Sequence, residues 1–470
     1  MAERRTTVDD VEPHTEEVLT EEVCHESDLQ EGQMMEVEVG QHKVLLVRSG
    51  GVYSAIGNSC THYGAPLSKG ALSGGRVRCP WHGACFNVKT GDIEEYPGLD
   101  CVAHHKVNPV FLQSLKQPKR VKAMGRRVPA ITHTVLLVGG GPAALVCAET
   151  LRQENYGGRI IMITKDDLPP YDRTKLSKAM NTENDSILLR RMEFFHEYDI
   201  EVWMNKEVKF VNTDKKTVML NDSSQHHYDQ LLIATGSRAR DLECPGADLE
   251  NVTLLRILQE KKVKFYMKDC VTEIKGENGK VKEVILKSGV VLPADIVIAG
   301  IGVIPNSEFL FGSSVNLDSR NMVIVDKFMK TNVPDVFSAG DVTSFPLAAY
   351  ENQRVSLGHW HLAQTQGRVA ALNMLNKPAE MKSVPFYWTV LAGKSIRYAG
   401  YGEGYTQVIL KGKVEELKFL AFYVKDDEVV AAASLNSDPA VSQFAERIAA
   451  GKQTTKEQAE SEDLSWLKLP

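Results

Sequence analysis

Two short segments constrain this chain more than anything else in it. CTHYGAPL (60–67) offers Cys60 and His62, and after sixteen intervening residues CPWHGACF (79–86) offers Cys79 and His82. Each loop thus supplies one thiolate and one imidazole, so the surrounding fold must bring two loops to one place. Two irons need four protein ligands. Soft thiolates suit one iron of a [2Fe–2S] cluster and neutral imidazoles the other, and exchanging two anionic ligands for neutral ones raises the potential above that of an all-cysteine centre. Gly64, Pro66, Pro80 and Gly83 shape tight loops that turn backbone N–H groups toward such a centre. A structural zinc ion, which also accepts two Cys and two His, is the competing reading, although C-x-H paired with C-x-x-H is not finger spacing.

The frame around these loops reads as all-β. From Gln33 to about Leu115, runs such as KVLLVRS and VYSAIG alternate with glycine turns. The metal motifs fall in its loops. They resemble Rieske-type ferredoxins and the ferredoxin domains of ring-hydroxylating systems. Respiratory Rieske proteins carry an extra disulfide-forming cysteine in each loop. Ala65 and Trp81 stand at those places here, so the resemblance implies a lower-potential, ferredoxin-like centre.

Residues 1–20 are rich in Glu, Asp and Thr and read as a disordered tail; residues 21–115 form the Rieske domain. Residues 116–132, basic and holding two prolines, read as an exposed linker, with docking of an acidic partner as the alternative. From Thr134 the grammar changes to strand, glycine turn, helix and strand, that of a doubly wound α/β domain. TVLLV (134–138) runs into Gly139, Gly141 and Ala144, a G-x-G-x-x-A fingerprint whose glycines let a backbone approach a pyrophosphate at a helix N-terminus. The strand RIIMIT then leads to Lys165, where an acid often binds the adenosine ribose.

Three further motifs follow in order. PYDRTKLSK holds Arg173 and Lys178, LLIATGSRAR holds Thr235 and Gly236, and VFSAGDVT holds Gly340 and Asp341. Singly, Arg173 and Lys178 read as surface charges and Asp341 as a helix cap. Together they resemble the FAD-dependent pyridine-nucleotide reductases of the putidaredoxin-reductase and apoptosis-inducing-factor type. That resemblance implies that Arg173 and Lys178 contact the flavin and its phosphates. It also places Thr235 and Gly236 at the dinucleotide crossover and Asp341 on the ribityl chain. His359, Trp360 and Trp388 fall where the family surrounds the flavin ring, with ordinary core packing as the other reading; Lys178 and Trp388 are the candidate catalytic residues.

Such reductases carry a second G-x-G-x-x-G for NAD(P)H, inserted in the first fold. Only 26 residues (237–262) separate Gly236 from the strand-like VKFYM, too few for strand, phosphate turn, helix and strand. The expected layout is therefore a leading FAD-binding segment (133–254), a remnant of the NAD(P)H domain (255–305) and a returning FAD-binding segment (306–376). An α+β C-terminal domain (377–470) completes it. LLRIL (254–258) looks like the junction of a removed block, whose loss exposes an unpaired sheet edge.

The expected cofactors are one Rieske-type [2Fe–2S] cluster and FAD, with NAD(P)H in doubt. The expected reaction carries electrons from NAD(P)H through FAD to the cluster and an unknown acceptor protein. A non-catalytic, cluster-binding regulatory protein is the alternative, and no two-His-one-carboxylate arrangement supports a terminal oxygenase. A net charge of −6 makes nucleic acid a poor partner. Eight dispersed cysteines point to a reducing compartment rather than a disulfide framework. The acidic amino terminus and the lack of an 18-residue apolar run predict a cytoplasmic protein without a membrane span. The family resemblance implies apoptosis and, alternatively, the mitochondrion.

Overall fold

The computed structural model describes residues 19–108, 111–114, 119–176, 183–240, 252–253, 266, 268–391, 394–414 and 416–469. The chain divides into two compact units, Met1–Lys122 with Ser465–Pro470, and Ala123–Leu464. Residues 1–18 of the expected tail and LLRIL at the expected junction lie outside the described residues, whereas Leu19 and Thr20 already belong to a strand.

The first unit is built on a six-stranded antiparallel sheet and a four-stranded one. The larger sheet runs, in spatial order, Leu19–Glu21, Phe111–Ser114, His104–Asn108, Val52–Gly57, His42–Ser49 and Met34–Val39. Strand His42–Ser49 explains its unbroken apolar run by being covered on both faces. Leu45 and Val47 enter a core with Cys60, Cys79, Phe86 and Val102, while Val44 and Leu46 enter a second core with Leu29, Val37 and Ala55. The smaller sheet, Ala71–Ser73, Arg76–Arg78, Cys85–Asn87 and Ile93–Glu95, carries the second metal loop on its central turn.

The expected linker, 116–132, is exposed over most of residues 121–132, and backbone bonds tie it at points along its length. Lys119–Arg120 form a strand antiparallel to Cys101–Val102. Farther on, the Gly125 N–H donates to the Arg152 carbonyl and the Val128 N–H to the Gly157 carbonyl. Basic residues without apolar periodicity gave no sign of this, because both ends are tied by backbone bonds and not by an apolar face. Val121, Lys122, Ala123 and Met124 stand between the two ties.

The second unit holds a parallel five-stranded sheet with the order β3-β2-β1-β4-β5. Its strands are β1 Thr134–Val138, β2 Arg159–Ile163, β3 Ile200–Trp203, β4 Gln230–Ile233 and β5 Val336–Ser338. Helix α1, Pro142–Gln153, starts where β1 ends, and α2, Trp360–Met374, packs against it. Contact between the helices is close enough that a Cβ on Gly367 would stand 2.1 Å from the Ala143 carbonyl oxygen. A separate five-stranded antiparallel sheet spans Phe386 to Leu435 and is flanked by the helix Ala440–Ala449.

Within the segment expected as a remnant, Val271–Glu277, Lys280–Leu286 and Val291–Pro293 form an antiparallel meander, and Val297–Ile298 pairs in parallel with Val252–Thr253 just ahead of that segment. Ile274, Val281 and Val284 are buried there, while Val291, Ile296, Ile298, Ile301 and Val303 are exposed. A run of apolar side chains facing water is what a sheet shows when a covering layer is absent.

Candidate functional site

The two metal loops fold by one rule. The Cys60 N–H donates to the Ala65 carbonyl and the Gly64 N–H back to Cys60; the Cys79 N–H donates to the Ala84 carbonyl and the Gly83 N–H back to Cys79. In each loop the residue four beyond the cysteine is a glycine at positive φ, +76° for Gly64 and +78° for Gly83, a conformation costly for residues with a Cβ. Arg78, fully buried, braces the second loop by donating to the Gly83 carbonyl at 3.0 Å while pairing with Glu95 at 2.8 Å. A third loop closes over the first: a Cβ on Gly98 would lie 3.5 Å from Thr61 Oγ1 and 3.9 Å from His62 Cβ.

All four expected ligands come together, as two pairs. The Nδ1 atoms of His62 and His82 face each other at 3.0 Å. Cys60 and Cys79 lie side by side in the core, and the neighbouring Cys79 thiol together with burial pushes the Cys60 thiol well up. Among the described residues no group of three or more His, Cys, Asp or Glu is placed to hold a single ion. A thiol pair beside an imidazole pair fits a two-iron cluster with a sulfur end and a nitrogen end. The sulfur end is buried, with Cys60 at 1% and Cys79 at 0% exposure, whereas both imidazoles are half-buried. Exposed Tyr63 and Trp81 flank them. The histidine edge is therefore the more accessible side of the four donors.

The second candidate site lies at the top of the parallel sheet. Gly139, at φ +125°, has no room for a Cβ, which would stand 2.2 Å from the Ala234 carbonyl oxygen; a Cβ on Gly140 would meet Thr164 at 2.6 Å. By contrast the space beside Gly141, the N-cap of α1, is open, and Ala144 is buried beneath it. An open helix N-terminus lined by glycine suits a pyrophosphate. Thr235 donates from its hydroxyl to the Asn306 carbonyl at 2.7 Å, and Gly236 accepts from the Asn306 N–H at 2.9 Å.

Arg173 pairs with Asp166 at 2.5 Å and lies over the Tyr171 ring. Lys165 is exposed at the end of β2, and no acid stands in its place. Gly340 presents its N–H to Gln366 at 2.7 Å, and Asp341 follows in a recess beside Gly358. Burial raises the Asp341 carboxyl, with the Arg173 charge opposing. A recessed carboxylate near an open glycine cradle fits a ligand with hydroxyl groups and a pyrophosphate, as FAD has. His359, the N-cap of α2, packs edge-on against Trp388 with ring centroids 4.6 Å apart and against Tyr387 at the same spacing. Burial lowers His359 to about 4, leaving it neutral. Trp360 is the first residue of α2. Lys178 lies outside the described residues.

Sequence reasoning missed Gly98, Lys119, Asn306, Gly358 and Gly367. None sits in a recognisable motif, and each matters through a partner distant in sequence.

The Rieske [2Fe-2S] domain family matches residues 20–108, the pyridine nucleotide-disulphide oxidoreductase family matches 133–262 and 252–367, and the reductase C-terminal family matches 386–468. The chain is 42% identical over 97% of its length to apoptosis-inducing factor 3 of Homo sapiens, covering 89% of that protein. That alignment runs over 539 positions, whereas 97% of 470 residues is about 456, so roughly 80 positions of the relative have no counterpart here. Rubredoxin-NAD(+) reductase of Pseudomonas putida is 25% identical over 64% of this chain and 95% of its own. Among solved structures, a ferredoxin reductase for the CYP199A2 system of Rhodopseudomonas palustris aligns with a TM-score of 0.67 at 24% identity, covering 72% of this chain and all of that one. The fold is thus that of the ferredoxin reductases, with an all-β Rieske domain ahead of it.

Proposed function

The chain belongs to the pyridine nucleotide-disulphide oxidoreductases, in the Rieske-bearing form shared with apoptosis-inducing factor 3, and from that premise we propose that it passes electrons from flavin to a Rieske cluster and on to an acceptor protein. It is an oxidoreductase. The observation that carries the reading is the paired convergence of Cys60 with Cys79 and of His62 with His82, in a chain that also keeps an open glycine cradle for a dinucleotide.

FAD, when bound, supplies the conversion of a two-electron hydride into single electrons. This chain's own residues do the positioning. Gly139, Gly141 and Ala144 admit the pyrophosphate, while Arg173, Thr235, Gly236, Gly340 and Asp341 orient the rest, and Lys178 and Trp388 are the catalytic candidates. His359, neutral and packed edge-on against Trp388, would help to exclude water beside a bound flavin ring. On the cluster side, Cys60 and Cys79 hold one iron in the core, and His62 and His82 hold the other where a partner can approach.

The ancestral inlet is what we regard as lost. A nicotinamide fold needs its own strand, phosphate turn and helix, and the stretch after Gly236 is too short for them; the unmatched positions of the relative and the exposed apolar run from Val291 to Val303 support the same reading. Anaerobic mixing with NADH tests it. Flavin absorbance that stays oxidised with NADH but bleaches with dithionite is the expected result, and rapid bleaching by NADH would overturn the loss. The missing fingerprint also favours a second reading, a cluster-binding regulatory protein, with apoptosis as its setting by likeness to the relatives. Acceptor reduction that depends on Cys79 would remove it. Cell fractionation decides between the cytoplasm and the mitochondrion.

A further inference from the structure

The Rieske unit contains one charged contact at the cluster loops that belongs to no motif. Lys119, on the strand paired with Cys101–Val102, donates from its ammonium to the Thr61 carbonyl oxygen at 3.0 Å. Thr61 stands between the ligands Cys60 and His62 and is itself fixed by its hydroxyl, which donates to the Asp100 carbonyl at 2.7 Å. The next residue, Arg120, donates to the Thr90 carbonyl at 3.0 Å and pairs closely with Asp92. Three segments far apart in sequence are thereby laced together: the first ligand loop, the loop over it, and the strand by which the chain leaves the domain.

The two neighbouring cations differ in what they leave uncancelled. Arg120 is neutralised by Asp92. Lys119 is bound by a neutral carbonyl, and among the described residues no carboxylate pairs with it. A fixed positive charge beside a centre that gains one electron lowers the energy of the reduced form, because charge near a cluster is one of the terms that set its potential. We propose that Lys119 is a positioning residue of the cluster. It ties the Cys60–His62 loop to the departing strand and raises the reduction potential of the centre through its charge. The inference rests on the cluster reading above. It adds that the connector reports directly on the cluster loop.

The test uses the full chain loaded with cluster and measures reduction potential by dye equilibration, with the EPR signal recorded in parallel. Relative to the wild type, Lys119→Gln keeps a donor to Thr61 without the charge, Lys119→Met removes both, Lys119→Glu reverses the charge and Lys119→Arg preserves it. At a dye poise that half-reduces the wild type, the reduced-to-oxidised ratio is expected to fall at least about threefold in Lys119→Gln and further in Lys119→Glu, while Lys119→Arg stays near wild type. The EPR line shape should not change, because the ligands are intact. A potential that is the same in Lys119→Gln, Lys119→Glu and wild type would overturn the charge role, and Gln keeps the tie, so misfolding of the Met variant does not decide the matter. Absence of any cluster signal from the wild type would instead sink the cluster reading itself.

Discussion

Cys79 is wholly buried and His82 half-exposed, so the cluster's two ends respond differently to substitution. Cys79→Ser puts a hard, poorly ionised oxygen where a soft thiolate is required, and iron content is expected to fall by at least about tenfold with flavin content unchanged. Elemental analysis beside flavin absorbance checks this. Away from the cofactors, Arg190 pairs with Glu149 at 2.9 Å with side-chain exposures of 11% and 4%. Arg190→Met removes the charged partner of a buried carboxylate, for which a loss of about 3–5 kcal/mol in denaturant unfolding is expected. His105 gives a pH dependence. Burial, aided by the charges of His104 and His42, lowers it to about 4. The unfolded chain takes up this proton near pH 6.5 and the folded one only near pH 4. Stability is therefore full above 6.5, falls by up to about 3 kcal/mol as the pH drops to 4, and then levels. His105→Leu should flatten that slope in pH-dependent unfolding.

Among the elements, α1 and α2 hold the dinucleotide cradle by close backbone approach. The group a Cβ on Gly367 would strike is the Ala143 carbonyl, which no side-chain rotation can move aside. Gly367→Ala is expected to cost about 1–3 kcal/mol and to reduce flavin occupancy, since α1 carries Gly141 at its N-cap. Denaturant unfolding and the flavin-to-protein absorbance ratio check both effects. Legibility followed the same line. The strand, glycine turn and helix from Thr134 were readable because periodicity and turn chemistry are local, and the metal ligands because their spacing is. Lys119–Arg120 was not readable as a strand, and Gly367 not as a contact point. A two-residue strand has no periodicity, and a glycine within a helix carries no record of the backbone it must admit.

At the scale of the whole molecule, the chain joins a Rieske domain to a ferredoxin-reductase fold, and the relay we propose has its outlet at the paired Cys and His loops and has lost its nicotinamide inlet. The C-x-H and C-x-x-H spacing left zinc open until the structure showed the donors as two pairs and the Rieske family matched residues 20–108. The gap after Gly236 was visible only as missing length, because a deletion leaves no residues of its own to read. The loss we propose would leave apolar side chains from Val291 to Val303 facing water, and they are exposed. Chains with two charges added there, Ile296→Lys with Val303→Glu, are expected to remain folded and to aggregate less in light scattering, as befits a face with no covering layer. The measurement that tests the central claim most directly is EPR with nitrogen ENDOR on the dithionite-reduced chain, alongside its flavin absorbance. The account predicts one Rieske-type signal coupled to two imidazole nitrogens, together with bound flavin. A chain carrying zinc, with no such signal and no flavin, would contradict it.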